Sequence, residues 1–251
     1  MPTAPTPVVL EGRRVRLEPL QPAHIPALFA SGGRDEEVWR HLSAPTPHTE
    51  DELRAIVAAR LADAARGRRL PLAVLDRAST AAIGTTNLHG WDTATGRIEI
   101  GGSSAPCQAA FARRDSPSPK GAGRCPSART LAAPAENPST PSTRASGRHA
   151  DSTHRTPLLD GEGCPARRWL GRRWWRTGAN REAKLLLLAH AFDTLGFTEV
   201  RWRVDAANTR SREAVTRLGA RPADPGAPPH GLLHYTMTAT DWPAARARLT
   251  G

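Results

Sequence analysis

The pattern of apolar and polar positions divides the chain into two patterned flanks around a stretch without pattern. Val15 and Leu17 alternate with Arg14, Arg16 and Glu18 ahead of Pro19, which predicts an edge strand and turn within Val8 to Leu20. Gln21 to Ala30 and Asp35 to Leu42 read as short helices. Thr49 followed three residues later by Glu52 is a capping-box signature. Leu53, Ile56, Val57, Leu61 and Ala64 then recur at helical spacing until Gly67, predicting an amphipathic helix. Leu70 to Asp76, Ala82 to Leu88 and Arg97 to Gly101 read as three successive strands. The turn-like loops Arg77-Ala78-Ser79-Thr80 and Asp92-Thr93-Ala94-Thr95-Gly96 join them into a meander.

Pattern returns at Trp169-Leu170-Gly171. Asn180 to Leu195 predicts a helix with Leu188, Ala191, Phe192 and Leu195 on one face and Gly196 at its C-terminal cap. Val200, Trp202 and Val204 alternate with Arg201 and Arg203 as a half-buried strand. Asn208 to Leu218 predicts a second helix, with Ala214, Val215 and Leu218 inward and Gly219 beyond its end. His234 to Thr238 reads as a last strand and Trp242 to Leu249 as a terminal helix. Arg221 to Pro229 carries too many Pro residues for a central strand, because Pro removes ladder donors, and this predicts a sheet left incomplete after Gly219. Strands and helices in this order give an α/β fold with a mixed sheet flanked by helices.

Composition changes the picture in the middle. Residues 103–168 contain no Val, Ile, Met, Trp or Tyr, and only Phe111, Leu131, Leu158 and Leu159 are large and apolar among 66 residues that include 9 Pro, 5 Gly and 9 Ser. Such a segment buries too little apolar surface to offset its ordering entropy, which predicts a low-complexity, disordered insertion. Two origins fit it: a segment projecting from one face of the domain, where it obstructs that face, or out-of-frame sequence. Setting it aside divides the chain into one discontinuous domain, residues 8–102 and 169–250.

The formal charge is +11, of which the middle segment supplies +5. This attracts polyanions, whether nucleic acid, an acidic membrane surface or a phosphorylated cofactor. The three cysteines Cys107, Cys125 and Cys164 have no metal-ligand spacing and are odd in number, so neither a zinc ribbon nor a closed disulfide framework is expected, and no metal. No apolar run approaches eighteen residues, which excludes a spanning helix; with no apolar leader at the amino terminus, a cytoplasmic protein without membrane association is the expectation. Oligomeric state is not legible.

The chemistry concentrates in Trp174-Trp175-Arg176-Thr177-Gly178-Ala179-Asn180-Arg181-Glu182-Ala183, between a strand end and a helix start. Unpaired amides and the positive end of the helix dipole share that space, and Gly178 lets a phosphate approach the backbone. Arg172, Arg173, Arg176 and Arg181 add positive charge. Arg167 to Arg176 also interleaves cations with Trp, a composition suited to single-stranded nucleic acid, which is the competing reading.

The strand Arg97-Ile98-Glu99-Ile100-Gly101, the run Trp174 to Leu188, and Asp205-Ala206-Ala207-Asn208-Thr209-Arg210-Ser211 with Arg217-Leu218-Gly219-Ala220 together resemble the GNAT N-acetyltransferases. The similarity is greatest to the branch that includes ribosomal-protein N-terminal acetyltransferases. The resemblance implies an acyl-CoA N-acyltransferase-like fold and acetyl-CoA as co-substrate, its pyrophosphate held by Arg176, Thr177, Gly178, Ala179, Asn180 and Arg181. Trp175 stands where the family's pyrophosphate motif has Gln or Arg, and Asn180 where it has Gly or Ala. The resemblance further implies Glu99 as general base, Ser211 as proton donor to the leaving thiolate, and Asn208 on the pantetheine arm. The acceptor it implies is a primary amine: a protein N-terminus, a ribosomal protein or a small amine. Read from the residues alone, Glu99 is equally an outward surface glutamate, and Asn208 and Ser211 are equally helix caps.

Overall fold

The computed structural model describes residues 1–42, 44–101, 168–224 and 231–250. The expected disordered insertion, with all three cysteines, lies outside the described residues except for its last member, Arg168, as do Pro225 and residues 226–230 of the Pro-rich tail.

A short edge strand β1 (Leu10–Glu11) pairs with β2 (Val15–Pro19), so the edge lies in β1 and the Val15/Leu17 strand is interior, between β1 and β3 (Arg69–Asp76). Helical turns span Pro22 to Gly33 and include α1 (Ile25–Leu28); α2 (Glu36–Trp39) and α3 (Glu50–Ala65) follow. Thr49 Oγ1 accepts from the Glu52 amide at 3.2 Å as predicted, while Glu52 reaches back to the His48 amide at 2.6 Å. The inner face of α3 is apolar only at first. Leu53 and Val57 are buried, and one and two turns on so are Arg60 and Asp63, a switch that the apolar spacing does not announce.

The meander forms as expected, with β3, β4 (Ala82–Asp92) and β5 (Arg97–Ile100) antiparallel in sequence, β4 running four residues beyond its predicted end. The strand β6 (Trp169–Leu170) then pairs with β4 at Thr85 and Gly84. With Ile100 opposite Leu88 and Trp169 opposite Thr85, β5 and β6 keep the register of a single strand in which Arg168 follows Gly101 directly. The two ends touch: Arg168 Cβ lies 3.2 Å from where a Gly101 Cβ would stand. Docking of β6 requires Gly84, since any Cβ there would fall 2.2 Å from the Trp169 carbonyl oxygen.

After β6 come α4 (Ala179–Ala189), continued by a wider turn to Thr194, then β7 (Glu199–Asp205) and α5 (Thr209–Leu218). The chain ends with β8 (Arg221–Pro222), β9 (Leu232–Thr238) and α6 (Trp242–Thr250). The sheet order is β1-β2-β3-β4-β5-β7-β9-β8, with β5 and β7 parallel and the other pairs antiparallel. The expected incompleteness of the sheet after Gly219 is corrected: β9 pairs with β7 over seven residues, and the Pro-containing segment supplies only the edge strand β8, where a missing donor faces outward.

Apolar side chains of α4, α5 and α6 cover one sheet face around Leu72, Ile98, Ile100, Val200 and Trp202. Those of α1, α2 and α3 form a second core with Ala73, Ala82 and Trp169 on the other. Among the described residues no helix is long and apolar enough to cross a membrane.

Candidate active site

The sheet parts where β5 gives way to β6. Residues Arg97 to Glu99 pair with Glu199 to Arg201 of β7, but beyond them β6 follows β4 while β7 continues against β9. A cleft of about 1430 Å³ opens there, with Gly101, Arg168 and Trp169 on one side and Arg203, Val204 and Asp205 on the other.

The start of α4 forms one end of this cleft. Arg176 (φ 63°) and Gly178 (φ 91°) both take left-handed backbone, which bends the chain sharply into the helix. Gly178 stands at the N-cap and has no side chain to cap with; the Ala179 amide meets Thr177 Oγ1 at 3.4 Å, and the amides that follow it in the first turn stay available to an anion. Glu182 fixes the turn to the β1–β2 loop: its carboxylate accepts from the amides of Arg13, Arg14 and Val15 at 2.8, 2.7 and 2.9 Å. That anchor brings the Arg14 side chain within 3.6 Å of the Cβ position of Gly178 and into the cleft lining. Arg176, Thr177, Gly178, Asn180 and Arg181 line the cleft, whereas the Ala179 side chain is buried in the core and only its backbone belongs to the turn. Arg172 and Arg173, expected to add charge here, point elsewhere: Arg172 pairs with Asp35 at 3.3 Å and Arg173 lies over the Trp174 ring.

The start of α5 forms the facing wall. Asn208 Oδ1 accepts from the Ser211 amide at 3.0 Å, so Asn208 caps the helix while its side chain lines the cleft. Ser211 also lines it, and its Oγ accepts from Arg168 Nη2 at 3.2 Å. Burial, and then the charge of Arg210, pull Arg168 down to about 10. Lys184, one helical turn past Asn180, is buried against the same cleft, and burial followed by the charge of Arg168 holds it well below the usual lysine value. Nine Arg and Lys side chains line the cleft against two carboxylates, Asp205 and Glu213, a strongly anion-attracting balance.

Glu99 is not among the cleft-lining residues. It lies on the sheet face opposite Ile98 and Ile100, where Arg203 Nε donates to its Oε2 at 2.9 Å and His89 Nε2 stands 3.3 Å from the same oxygen. Burial raises its pKa, but the contacts with His89 and Arg203 outweigh this and hold it below the usual carboxylate value. Arg203 also lines the cleft, so one side chain joins Glu99 to the cleft wall.

Arg14, Arg168, Lys184 and Glu182 were not singled out from the sequence. Their roles come from contacts between segments far apart in the chain, which no local spacing records. The tryptophans of the basic and aromatic run are committed to the fold, while its Arg168 and Arg176 line the cleft: Trp169 is buried 5.9 Å from Trp39, Trp174 packs on the core, and Trp175 donates to the Leu170 carbonyl and carries the Arg210 guanidinium on its face. Among the described residues no cluster of His, Cys, Asp and Glu is suited to a metal.

Comparisons with known proteins agree with this geometry. No curated protein sequence matches the chain. Among solved structures, a T. thermophilus protein assigned as an acetyltransferase is 25% identical, with 98% of this chain and 97% of that chain covered and a TM-score of 0.63. A GCN5-related N-acetyltransferase from Brucella melitensis is 21% identical over 99% of this chain and 86% of its own, with a TM-score of 0.66. Mycobacterium smegmatis RimJ in complex with CoA-disulfide is 15% identical over 97% and 94%, with a TM-score of 0.57. These last two show likeness of fold. The family model described as Acetyltransferase (GNAT) domain matches residues 14–110 and 150–221, more than half of the chain and including the cleft turn, Asn208 and Ser211; the chain belongs to the GNAT acetyltransferase family.

Proposed function

We propose that this GNAT enzyme transfers the acetyl group of acetyl-CoA to a primary amine by direct attack within a ternary complex. The observation that carries the reading is one cationic cleft that gathers the uncapped start of α4 together with Asn208 and Ser211. The pyrophosphate fits the amides of the α4 turn, with Arg14, Arg176 and Arg181 as counter-charges. The pantetheine arm then follows the gap between β6 and β7, where the Asn208 side-chain amide is within the cleft wall.

The acceptor amine is an ammonium at neutral pH and must lose a proton before it attacks the thioester carbon. Glu99 takes that proton, directly or through water. His89 and Arg203 favour its charged form, so it is a weak base that holds the proton only briefly and passes it on to solvent. As the carbon–sulfur bond breaks, Ser211 Oγ–H donates to the leaving sulfur. Protein N-termini, including those of ribosomal proteins, and small amines are the acceptor class.

CoA release measured across a panel of peptides with free N-termini and small amines tests the reading. Turnover of at least one acceptor is expected, and Glu99→Gln should lower its rate by about 100-fold or more. No turnover of any amine by a protein that binds acetyl-CoA would contradict the catalytic part, and undiminished turnover by Glu99→Gln would discard Glu99 as base.

A further inference from the structure

Two of the cations that line the cleft are buried without a counter-ion among the described residues. Six residues beyond Gly178, Lys184 is 2% exposed, and its Nζ has no hydrogen-bond partner. Arg168 Nη1 is likewise shut off from solvent and unpartnered. Neither has a carboxylate partner among the described residues, and the two cations are close enough for Arg168 to disfavour the charge on Lys184. A buried cation without a counter-ion is costly, and a chain that keeps two beside a ligand cleft places them where negative charge arrives with the ligand or develops in the reaction.

Their position identifies that charge. A pyrophosphate held by the first-turn amides lies beyond the end of α4, while Lys184 Cα is roughly 7 to 8 Å along the helix axis from Ala179 at 1.5 Å per residue. Arg168 sits deeper still, against Gly101 at the point where the sheet parts, with its Nη2 on Ser211. Ser211 Oγ already accepts from Arg168. Its own proton is therefore directed away from the guanidinium, as a donor to whatever lies in the cleft.

We propose that Arg168 and Lys184 form a cationic cradle for the CoA thiolate, with Arg168 also acting as a positioning residue that orients Ser211 as the hydrogen-bond donor to sulfur. This rests on the acetyl-CoA reading above. As the amine nitrogen bonds to the carbonyl carbon, the carbon–sulfur bond breaks and its electron pair leaves on sulfur. The ammonium loses one proton before attack and the nitrogen loses a second as the amide forms, both leaving in turn through Glu99 to solvent, so the products are the amide, the CoA thiolate and two protons. The cradle stabilises the sulfur anion without first having to protonate it. The other charged or titratable groups that line the cleft are Arg14, His41, Arg176 and Arg181, Arg203 and Asp205 on β7, Arg210, Glu213 and Arg217 on α5, and Arg248 on α6.

The ultraviolet absorbance of the thiolate, followed against pH in the protein–CoA complex with desulfo-CoA as blank, tests the cradle. A free thiol ionises near about 8.5, and the bound thiol is expected at least about one unit lower. Lys184→Met and Arg168→Gln should each return the bound thiol toward the free value, with roughly a threefold or greater fall in the thiolate-to-thiol ratio at fixed pH. They should also reduce the ratio of CoA to desulfo-CoA affinity. A thermal midpoint for each variant establishes that it folds, and Lys184→Met, which exchanges a buried amine for an apolar side chain of similar length, keeps the test available if Arg168→Gln does not fold.

A bound thiol that titrates at or above its free value would overturn the proposal. So would variants that weaken CoA and desulfo-CoA equally, since that would assign both cations to the phosphates. Failure of CoA and acetyl-CoA to bind at all would overturn the underlying reading and the cradle with it, whereas acetyl-CoA binding with an unshifted thiol removes the cradle alone.

Discussion

Among the described residues, cations are buried in two places, and the two are built differently. Against α3, Arg60 and Arg69 are buried beside Asp63: Arg60 donates to Thr85 at 2.8 Å, and Asp63 accepts from Arg68 and lies 3.5 Å from Arg69. In the cleft, among the described residues, Lys184 Nζ and Arg168 Nη1 have no hydrogen-bond partner and Arg168 Nη2 donates to the Ser211 hydroxyl. The first cluster supplies its own counter-charge and needs nothing further, so it serves the fold. The second is left for a ligand to complete, and it lies where the family match, the uncapped α4 start and the parting of the sheet coincide.

The sharpest way to break this contrast is to remove the counter-charge from the first cluster. Asp63→Asn should cost about 3 kcal/mol or more in urea unfolding, the penalty for stranding a buried cation, whereas Lys184→Met should leave stability equal or higher. Similar losses in both would erase the distinction. Next in size is the anchor of the anion turn. Glu182→Gln removes charge from three amide contacts and should cost roughly 1 to 3 kcal/mol by the same measurement.

Removing residues 102–167 and joining Gly101 to Arg168 should leave the fold intact and its thermal midpoint equal or higher, since closing the long loop carries an entropic cost of about 2 to 3 kcal/mol. A deletion variant that fails to fold would show that Arg168 is not placed by the strand register. The smallest effect concerns Glu99. Its folded pKa lies below the ordinary value of 4.5, so its contribution to stability is complete above that value and is lost as the pH falls through the folded one. The thermal midpoint should therefore drop in that acidic window less steeply in Glu99→Gln than in the wild-type chain.

What could be read beforehand follows from the range over which each feature is encoded. α3, α4 and α5 were legible because their spacing and caps are local, Thr49 and Asn208 included. The same holds for the meander and for the alternation of β7. The turn into α4 was legible as a motif, and the structure gathers its residues with Asn208 and Ser211 into one cleft. The break within one strand was not, because β5 and β6 are recognised as halves of a line only through their common partner β4. The polar half of α3 was missed for a related reason. Arg60 and Asp63 occupy core-facing positions that apolar spacing treats as gaps, and only the opposing Thr85 and Arg69 make them acceptable there. Likewise, Glu99 was visible as a carboxylate between two inward Ile residues, but its clamp by His89 and Arg203 joins three strands.

Titration of acetyl-CoA into the full chain at moderate salt, followed by thermal midpoint and calorimetry with single-stranded DNA as the parallel ligand, measures the cleft most directly. Saturable one-to-one binding of acetyl-CoA is predicted, with about 2.7 kcal/mol of added stability at a free concentration 100 times Kd, and no comparable protection by DNA. Protection by single-stranded DNA with none by acetyl-CoA would contradict the assignment of the cleft.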